Sequence, residues 1–194
     1  DQSVAWYELS IQPVPEGVFV LSVDITQRKI AEEKLHEQGI RLQTISDNLP
    51  GVIIYQFISD NNGGGKYTYL SKGVERLSGH SVLEILEKPS ILDTIVIDED
   101  RPILAEAEKK SYRDLSVFNV EVRCRSANDG LRWINFISTP DLNNKGQVIW
   151  NGFLIDITER KKMEQMIKQV NADLEERVEQ RTAELKKSNE EMEA

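Results

Sequence analysis

Residues 152–162 read Gly-Phe-Leu-Ile-Asp-Ile-Thr-Glu-Arg-Lys-Lys, an apolar run that changes into a charged one. Its central tripeptide, Asp156-Ile157-Thr158, also occurs at Asp24-Ile25-Thr26, again between a strand-like and a helix-like segment. Upstream of each copy, a tryptophan and a proline stand seven residues apart in an alternating stretch. The two pairs are Trp6 with Pro13 and Trp133 with Pro140. Such self-similarity indicates a repeat, so we expect the tail of one unit followed by a complete second unit.

Size and composition limit what the chain can be. With 194 residues, 39% of them apolar, it can form one or two domains. No apolar run approaches the roughly 18 residues of a spanning helix, and residues 6–23 alternate like a strand and lack the basic leader of a signal peptide. We therefore expect no membrane segment in this fragment and a cytoplasmic location.

Charge and cysteine content exclude further classes. A net charge of -9 repels phosphate backbones, so we expect no nucleic-acid partner. The single cysteine, Cys124, rules out an internal disulfide framework and a thiolate metal cluster, which favours reducing surroundings.

Hydrophobic patterning predicts an α+β fold. Two strands, several short helical segments and three further strands follow one another between residues 49 and 158. This order predicts a five-stranded antiparallel sheet with helices on one face. We expect four parts: a β-hairpin remnant at 1–25, a connecting helix at 26–48, the complete domain at 49–158 and a C-terminal helix at 159–194.

The C-terminal 36 residues contain neither glycine nor proline, and about half are charged, which predicts one helix. Apolar residues recur there at gaps of three or four, the spacing of a two-stranded coiled coil. The predicted dimer seam consists of Ile167, Val170, Leu174, Val178, Leu185 and Met192, with Thr182 and Asn189 filling its polar positions. Three successive gaps of four near Val178 predict a local unwinding of the supercoil.

At this point the sequence resembles a PAS sensory domain, with its Asp-Ile-Thr exit motif, from a multi-PAS bacterial sensor histidine kinase. Where the family usually has His-Pro before its long helix, this chain has Asp98-Glu99. The resemblance covers about residues 49–162, and residues 6–29 resemble the last two strands of a preceding unit. The segments that carry it are Asn48-Leu49-Pro50-Gly51-Val52, Tyr69-Leu70-Ser71, Leu77-Ser78-Gly79-His80-Ser81, Asp98-Glu99-Asp100-Arg101, Asp129-Gly130 to Trp133, and Asp156-Ile157-Thr158-Glu159-Arg160-Lys161.

Residues 174–185 resemble the signalling helix that often precedes a histidine-kinase dimerisation domain. The resemblance implies a homodimer, joined through the N- and C-terminal helices, that relays a ligand or upstream signal to an output domain in the same chain. A diguanylate cyclase or another output is the alternative within this class, and a purely structural dimerisation scaffold is the alternative outside it.

By alignment with PAS relatives, an inward-facing set of residues would line a pocket between the sheet and the helices. The same alternation is also what a filled core shows, so both interpretations stay open. A ligand would be small and largely apolar, with Ser138 or Tyr69 as hydrogen-bond anchor. The predicted set is Tyr69, Val120, Val122, Cys124, Ile134, Phe136, Ser138, Gly152 and Leu154.

Cofactor chemistry and catalysis find little support in the sequence. Residues 98–113, where haem-binding relatives carry their ligand, contain no histidine, and photoactive flavin relatives carry their cysteine on a helix, whereas Cys124 lies on a strand. The cofactor therefore stays unknown, with haem and photoactive flavin disfavoured. His36 and His80 are expected at the surface. No Ser/His/Asp set or phosphate loop can be assembled, so we expect no catalysis in this segment.

The Asp-Ile-Thr junctions are the predicted transmission sites. Each threonine is a plausible N-cap whose hydroxyl accepts an amide of the first helical turn. The aspartate and the arginine four residues later are close enough to tie the last strand to the helix. The predicted junction residues are Asp24, Thr26, Arg28, Asp156, Thr158 and Arg160.

Overall fold

The computed structural model describes residues 4–60 and 64–192, and side chains up to residue 185. The chain divides into two compact units, Asp1–Asn48 and Leu49–Ala194. No described helix is both long enough and apolar enough to cross a membrane.

The first unit is a hairpin followed by a helix. Strand β1 (Tyr7–Val14) pairs antiparallel with β2 (Gly17–Asp24), and α1 (Thr26–Asp47) follows. The pairing register runs from Tyr7 opposite Asp24 to Val14 opposite Gly17. Every residue of both strands is exposed, including large apolar ones on both faces. The hairpin therefore buries almost nothing within its own unit.

The second unit contains the complete sheet, with all its strand pairs antiparallel. In space, its strands lie in the order β4-β3-β7-β6-β5. The predicted α+β class and five-stranded sheet are confirmed. Its elements are β3 (Val52–Ser59), β4 (Gly65–Leu70), α2 (Gly73–Ser78), α3 (Val82–Glu87), α4 (Ile91–Ile95), α5 (Arg101–Asp114), β5 (Phe118–Ser126), β6 (Gly130–Leu142), β7 (Val148–Asp156) and α6 (Thr158–Met192).

Alternating side chains on the strands place one face of the sheet against helices α2 to α5. On β5, for example, Phe118, Val120, Val122 and Cys124 are buried while the residues between them are half-buried or exposed. Val74, Ile85, Leu92 and Leu104 bring one buried residue from each of the four helices into the same cluster. We call this covered side the inner face of the sheet.

Local signals fix the short helices. Helix α3 begins with a capping box, in which Ser81 Oγ accepts from Glu84 N at 3.3 Å and the Glu84 carboxylate accepts from Ser81 N at 2.7 Å. Helix α2 ends at Gly79, whose φ of +74° is accessible to glycine at little cost. Helix α4 was not predicted as a separate element.

Helix α6 is 35 residues long, which corresponds to about 50 Å at 1.5 Å per residue. From Glu164 to Leu185, where side chains are last described, every residue is exposed. The single helix therefore leaves its apolar stripe without a partner element in the described chain.

Candidate functional site

The predicted pocket residues, apart from Tyr69, lie on the inner face and are buried. Six of them, Val120, Val122, Cys124, Ile134, Phe136 and Leu154, belong to one hydrophobic cluster. Burial raises the pKa of the Cys124 thiol to about 12, so the thiolate is scarce at neutral pH. These side chains pack as a core, and their ligand-binding role stays a prediction.

Tyr69 lies on the outer face, which corrects its assignment to the pocket. A β-bulge between Gln56 and Phe57 pairs Gln56 with Tyr69 and Phe57 with Tyr67. Thr68 is the extra residue, and its hydroxyl donates to Gln56 Oε1 at 2.7 Å. The bulge shifts the alternation by one residue. Tyr67 therefore takes the inward position against the core.

Four aromatic residues on the inner face were not predicted from the sequence: Tyr55, Phe57, Tyr67 and Trp150. Their rings contact one another in series, with centroid distances of 5.9 Å for Tyr55–Tyr67, 5.0 Å for Phe57–Tyr67 and 6.0 Å for Phe57–Trp150. Trp150 could have been recognised, because it alternates with Gly152 and Leu154 on β7.

The second Asp-Ile-Thr junction is held by three hydrogen bonds to the sheet and within the turn. Trp133 N donates to Thr158 Oγ1 at 2.9 Å, and Ile157 N donates to Trp133 O at 2.8 Å. Thr158 N donates to Asp156 Oδ1 at 2.9 Å. Thr158 is buried, so the first residue of α6 is fixed to strand β6 through its side chain and its neighbour's backbone.

The first junction repeats this pattern. Trp6 N donates to Thr26 Oγ1 at 2.8 Å, Ile25 N donates to Trp6 O at 2.8 Å, and Thr26 N donates to Asp24 Oδ1 at 2.9 Å. Hydrogen bonding by Thr26, through its side chain first and its backbone amide second, holds the pKa of the Asp24 carboxyl below its usual value. The predicted N-cap role of Thr26 is wrong, since the N-cap is Ile25 and makes no side-chain bond. The threonine instead joins strand to helix.

The predicted aspartate–arginine ties are also wrong. Arg28 Nε bonds Glu32 at 2.9 Å on its own helix. Arg160 bonds Glu121 on β5 and Glu164 at 3.3 Å. Each arginine pairs instead with the glutamate four residues later on its own helix.

The first turn of helix α6 contacts the outer face of the sheet, opposite the face covered by helices α2 to α5. The contact is made by five residues that we call the exit clasp: Glu121, Arg123, Trp133, Arg160 and Lys161. Lys161 Nζ lies 2.5 Å from Glu121 and 5.1 Å from the centroid of the Trp133 ring. Arg123 lies 5.7 Å from that centroid. Lys161 and Arg160 hold the pKa of Glu121 below its usual value. The first turn of α6 therefore contacts both β5 and β6.

The exit clasp continues to the start of helix α5. Asp100, which precedes that helix, is buried and accepts from Arg123 N at 2.7 Å and Arg123 Nε at 2.9 Å. Arg123 Nη2 donates to its other oxygen at 2.6 Å. Asp100, Arg123, Trp133 and Lys161 thus form a continuous chain of contacts from α5 to α6.

A small cleft of about 170 Å³ opens beside the same junction. Ile53, Ile134 and Leu154 line its apolar part. Its polar part includes Asp156 and Arg132, whose Nη1 lies 3.5 Å from Asp156 Oδ2. The cleft therefore contacts the aspartate that precedes α6.

The two histidines show no sign of ligation. His36 lies on the exposed face of α1, and His80 Nδ1 is 4.0 Å from Glu84 at the start of α3. Within the described ranges 4–60 and 64–192, no group of histidine, cysteine, aspartate and glutamate has the arrangement of a metal site.

The predicted dimer seam is exposed in the single chain. The exposed fractions are 60% for Ile167, 50% for Val170, 52% for Leu174, 62% for Val178 and 63% for Leu185. The side chain of Met192 lies outside the described residues. The seam stays a prediction.

Replacing Thr158 by valine should weaken the junction, because the Trp133 amide would lose its acceptor. An amide left without a partner costs about 1–3 kcal/mol, and Thr158 is buried. We expect a loss of about 1 kcal/mol in the free energy of unfolding of the second unit and faster hydrogen exchange at the Trp133 amide. Thr158→Ser keeps the acceptor and serves as control. Equal exchange in the valine and serine variants would contradict this role.

Part of the second unit matches a known protein family. The sequence model of the PAS fold family matches residues 67–154. The chain contains a PAS domain. No curated protein matches the chain.

Three solved structures are similar to this chain. A sensory box histidine kinase/response regulator from Burkholderia thailandensis E264 is 20% identical with a TM-score of 0.52, over 70% of this chain and 97% of that one. A domain assigned to a light and redox sensing histidine kinase from Haloarcula marismortui is 26% identical with a TM-score of 0.47, over 62% and 99%. The N-terminal domain of a diguanylate cyclase with a PAS/PAC sensor from Marinobacter aquaeolei is 16% identical with a TM-score of 0.47, over 57% and 98%.

Proposed function

We propose that this segment is the sensory and transmitter part of a cytoplasmic two-component sensor histidine kinase. It works as a parallel homodimer, paired through α1 and α6, and relays a ligand or upstream signal to an output domain in the same chain. The segment itself performs no catalysis. The observation that carries this proposal is the exit clasp, because it fixes a long helix with an exposed apolar stripe to the PAS sheet.

The exit clasp provides a route from the inner helices to α6. A shift of α5 would move Asp100, and with it the Arg123 side chain that contacts the Trp133 ring. Lys161, on the other contact of that ring, lies in the first turn of α6. The signal therefore acts on the first turn of α6 and changes the pitch or the rotation of the paired helices. Two packings of the helices near the irregular Val178 region need to differ by only a few kcal/mol.

The first unit fits the same scheme. Its junction has the same three hydrogen bonds as the second, and its hairpin exposes apolar side chains such as Leu9, Ile11 and Phe19. We interpret residues 1–25 as the end of a preceding PAS domain and α1 as its exit helix. The chain then contains two successive transmitters, each made of a strand pair and the helix that follows.

Dimerisation through α6 gives the first test. In sedimentation equilibrium, we expect the wild-type segment to be a dimer and the variant Leu174→Lys/Val178→Lys to dimerise much more weakly, since only α1 then remains to pair the two copies. Two lysines in the seam would bury like charges against each other, which a coiled coil does not tolerate. The matched control is Ala172→Lys/Glu176→Lys, which has the same spacing on the opposite side of the helix and should stay dimeric.

The result separates the proposal from its alternatives. A wild-type segment that is monomeric, or a variant with seam lysines that dimerises as tightly as the wild type, would contradict the transmitter model. A structural scaffold would dimerise as well but would show no ligand-dependent change. Cysteines placed at positions 174 and 178 should therefore cross-link at rates that differ between liganded and free protein. A diguanylate cyclase output would leave both results unchanged.

A further inference from the structure

The cleft beside the second junction lies at one end of the sheet, where β7 ends and β3 begins. Helix α2 contributes Arg76 and Leu77 to it, and the end of β5 with the turn that follows contributes Ser126 and Asp129. Helices α3 to α5, all of whose residues are described, do not line it. The cleft is therefore an opening at the edge of the domain, away from the packed interior beneath α5.

Arg76 brings an uncommitted positive charge to this cleft. It forms no hydrogen bond or ion pair with a described residue. Its Nη2 lies 3.7 Å from the Cβ position that Gly73 lacks, and that position is 3.1 Å from the Val52 carbonyl oxygen. The guanidinium therefore lies back along α2 towards the start of β3, where it lines the cleft.

Two carboxylates on the opposite side of the cleft share one cation. Arg132 Nη2 lies 3.0 Å from Asp129 Oδ2, and Arg132 Nη1 lies 3.5 Å from Asp156 Oδ2. Among the described residues, Arg132 alone pairs with either of them. The aspartates thus carry one negative charge more than this guanidinium offsets. Arg76 does not reach them, so a space remains between opposite charges.

An apolar surface lies beneath these charges. It is formed by Ile53, Ile134 and Leu154, of which 6%, 2% and 2% are exposed. We call these three residues the apolar floor. Because the cleft measures about 170 Å³, it has room for a small apolar group over this floor.

The arrangement of charges selects a ligand class. An anion would leave the surplus charge of the aspartates unbalanced, and a cation would leave Arg76 without a partner. A molecule that carries both a carboxylate and an ammonium group provides a charge-assisted hydrogen bond to each side. A short apolar substituent would cover the floor.

We propose that the cleft binds a small zwitterionic amino acid with an apolar side chain. Its carboxylate pairs with Arg76, its ammonium group lies beside Asp129 and Asp156, and its side chain contacts the apolar floor. The ligand would then contact the aspartate that accepts from Thr158 N at the start of α6. This deepens the proposed sensory function, on which it rests, by naming the class of signal and the place where it acts.

The test is calorimetric titration of the whole segment with L-valine at neutral pH, where both of its groups are charged. 3-Methylbutanoate lacks only the amino group of valine, and isobutylammonium lacks only its carboxylate. We expect each of them, and glycine, to bind about tenfold or more weakly than valine. A probe without the amino group or without the carboxylate that binds as tightly as valine, or valine that produces no binding heat, would overturn the inference.

Variants test the assignment of the charges. Arg76→Gln should weaken valine binding by about tenfold or more, because the carboxylate loses its partner. Arg76 is exposed, so the variant should fold like the wild type, which circular dichroism checks. Arg125→Gln is the matched control and should bind normally, since Arg125 is also exposed and unpaired among the described residues but does not line the cleft. Equal affinity of the two variants would contradict the role of Arg76.

Cross-linking separates failure of the site from failure of the transmitter model. Valine should change the cross-linking rates of cysteines at positions 174 and 178, and Arg76→Gln should abolish that change. If valine binds through Arg76 while the cross-linking rates stay the same, the site is correct and its role in transmission is wrong. If valine does not bind, the site is wrong, and the dimer measured by sedimentation is unaffected.

Discussion

Replacing Gly152 by alanine should destabilise the PAS domain by about 3 kcal/mol, as expected for overpacking against backbone. A Cβ at this position would overlap the Ile137 carbonyl oxygen and the Ser138 Cβ, and would lie 2.8 Å from the Ser138 Cα. These atoms belong to the neighbouring strand β6, which is paired along its length with β7. Backbone in the middle of a sheet cannot move aside as a flexible side chain can. Urea denaturation followed by circular dichroism measures the effect.

The matched control for Gly152→Ala is Gly39→Ala. Gly39 lies within α1, where an added Cβ meets nothing within 4 Å. Alanine there should leave the PAS domain unchanged and favour the helix by up to about 1 kcal/mol. A Gly152→Ala variant as stable as Gly39→Ala would show that β6 and β7 separate more easily than their pairing implies.

The sheet could be predicted because its strands are half-buried. One-sided burial forces an alternation of period two, and β5, β6 and β7 carry it over most of their length. The repeated tripeptide was equally informative, since both copies make the same three hydrogen bonds. Helix α4 was missed because five residues are too few to show a helical period.

The features that could not be predicted from the sequence depend on contacts between residues far apart in the chain. A single extra residue in β4 places Tyr67 and Tyr69 on opposite faces of the sheet, and nothing in the local sequence marks that bulge. Glu121 is 39 residues from Arg160, so its role in the exit clasp follows only from the order of the strands.

Asp100→Ala should also cost about 3 kcal/mol, because it breaks a buried ion pair and removes the acceptor of a backbone amide. Only 7% of the Asp100 side chain is exposed, against 34% for Arg123. The arginine left behind can regain some water, which limits the loss to the lower end of the range for buried pairs. Asp98→Ala is the matched control, since Asp98 pairs with Arg101 at 2.8 Å but is 72% exposed. We expect its effect to stay below about 0.5 kcal/mol.

The difference in the free energy of unfolding between wild type and Asp100→Ala should depend on pH. The bonds from Arg123 hold the pKa of Asp100 below its ordinary value of 3.8, so the folded state releases this proton more readily than the unfolded chain. The stabilisation from this ion pair is therefore complete above pH 3.8, the ordinary pKa of the unfolded chain. It is lost as the pH falls from there through the lower pKa of the folded state. Denaturation curves at about pH 7 and about pH 3 should show that the difference in the free energy of unfolding between the two proteins is smaller at about pH 3.

Asp100 also joins α5 to the exit clasp. Asp100→Ala should therefore weaken the attachment of the first turn of α6 to the sheet, which would be measured as faster hydrogen exchange at the amides of Ile157 and Thr158. If the difference in the free energy of unfolding is the same at both pH values and hydrogen exchange is unchanged, Asp100 neither forms a stabilising ion pair nor connects the two helices.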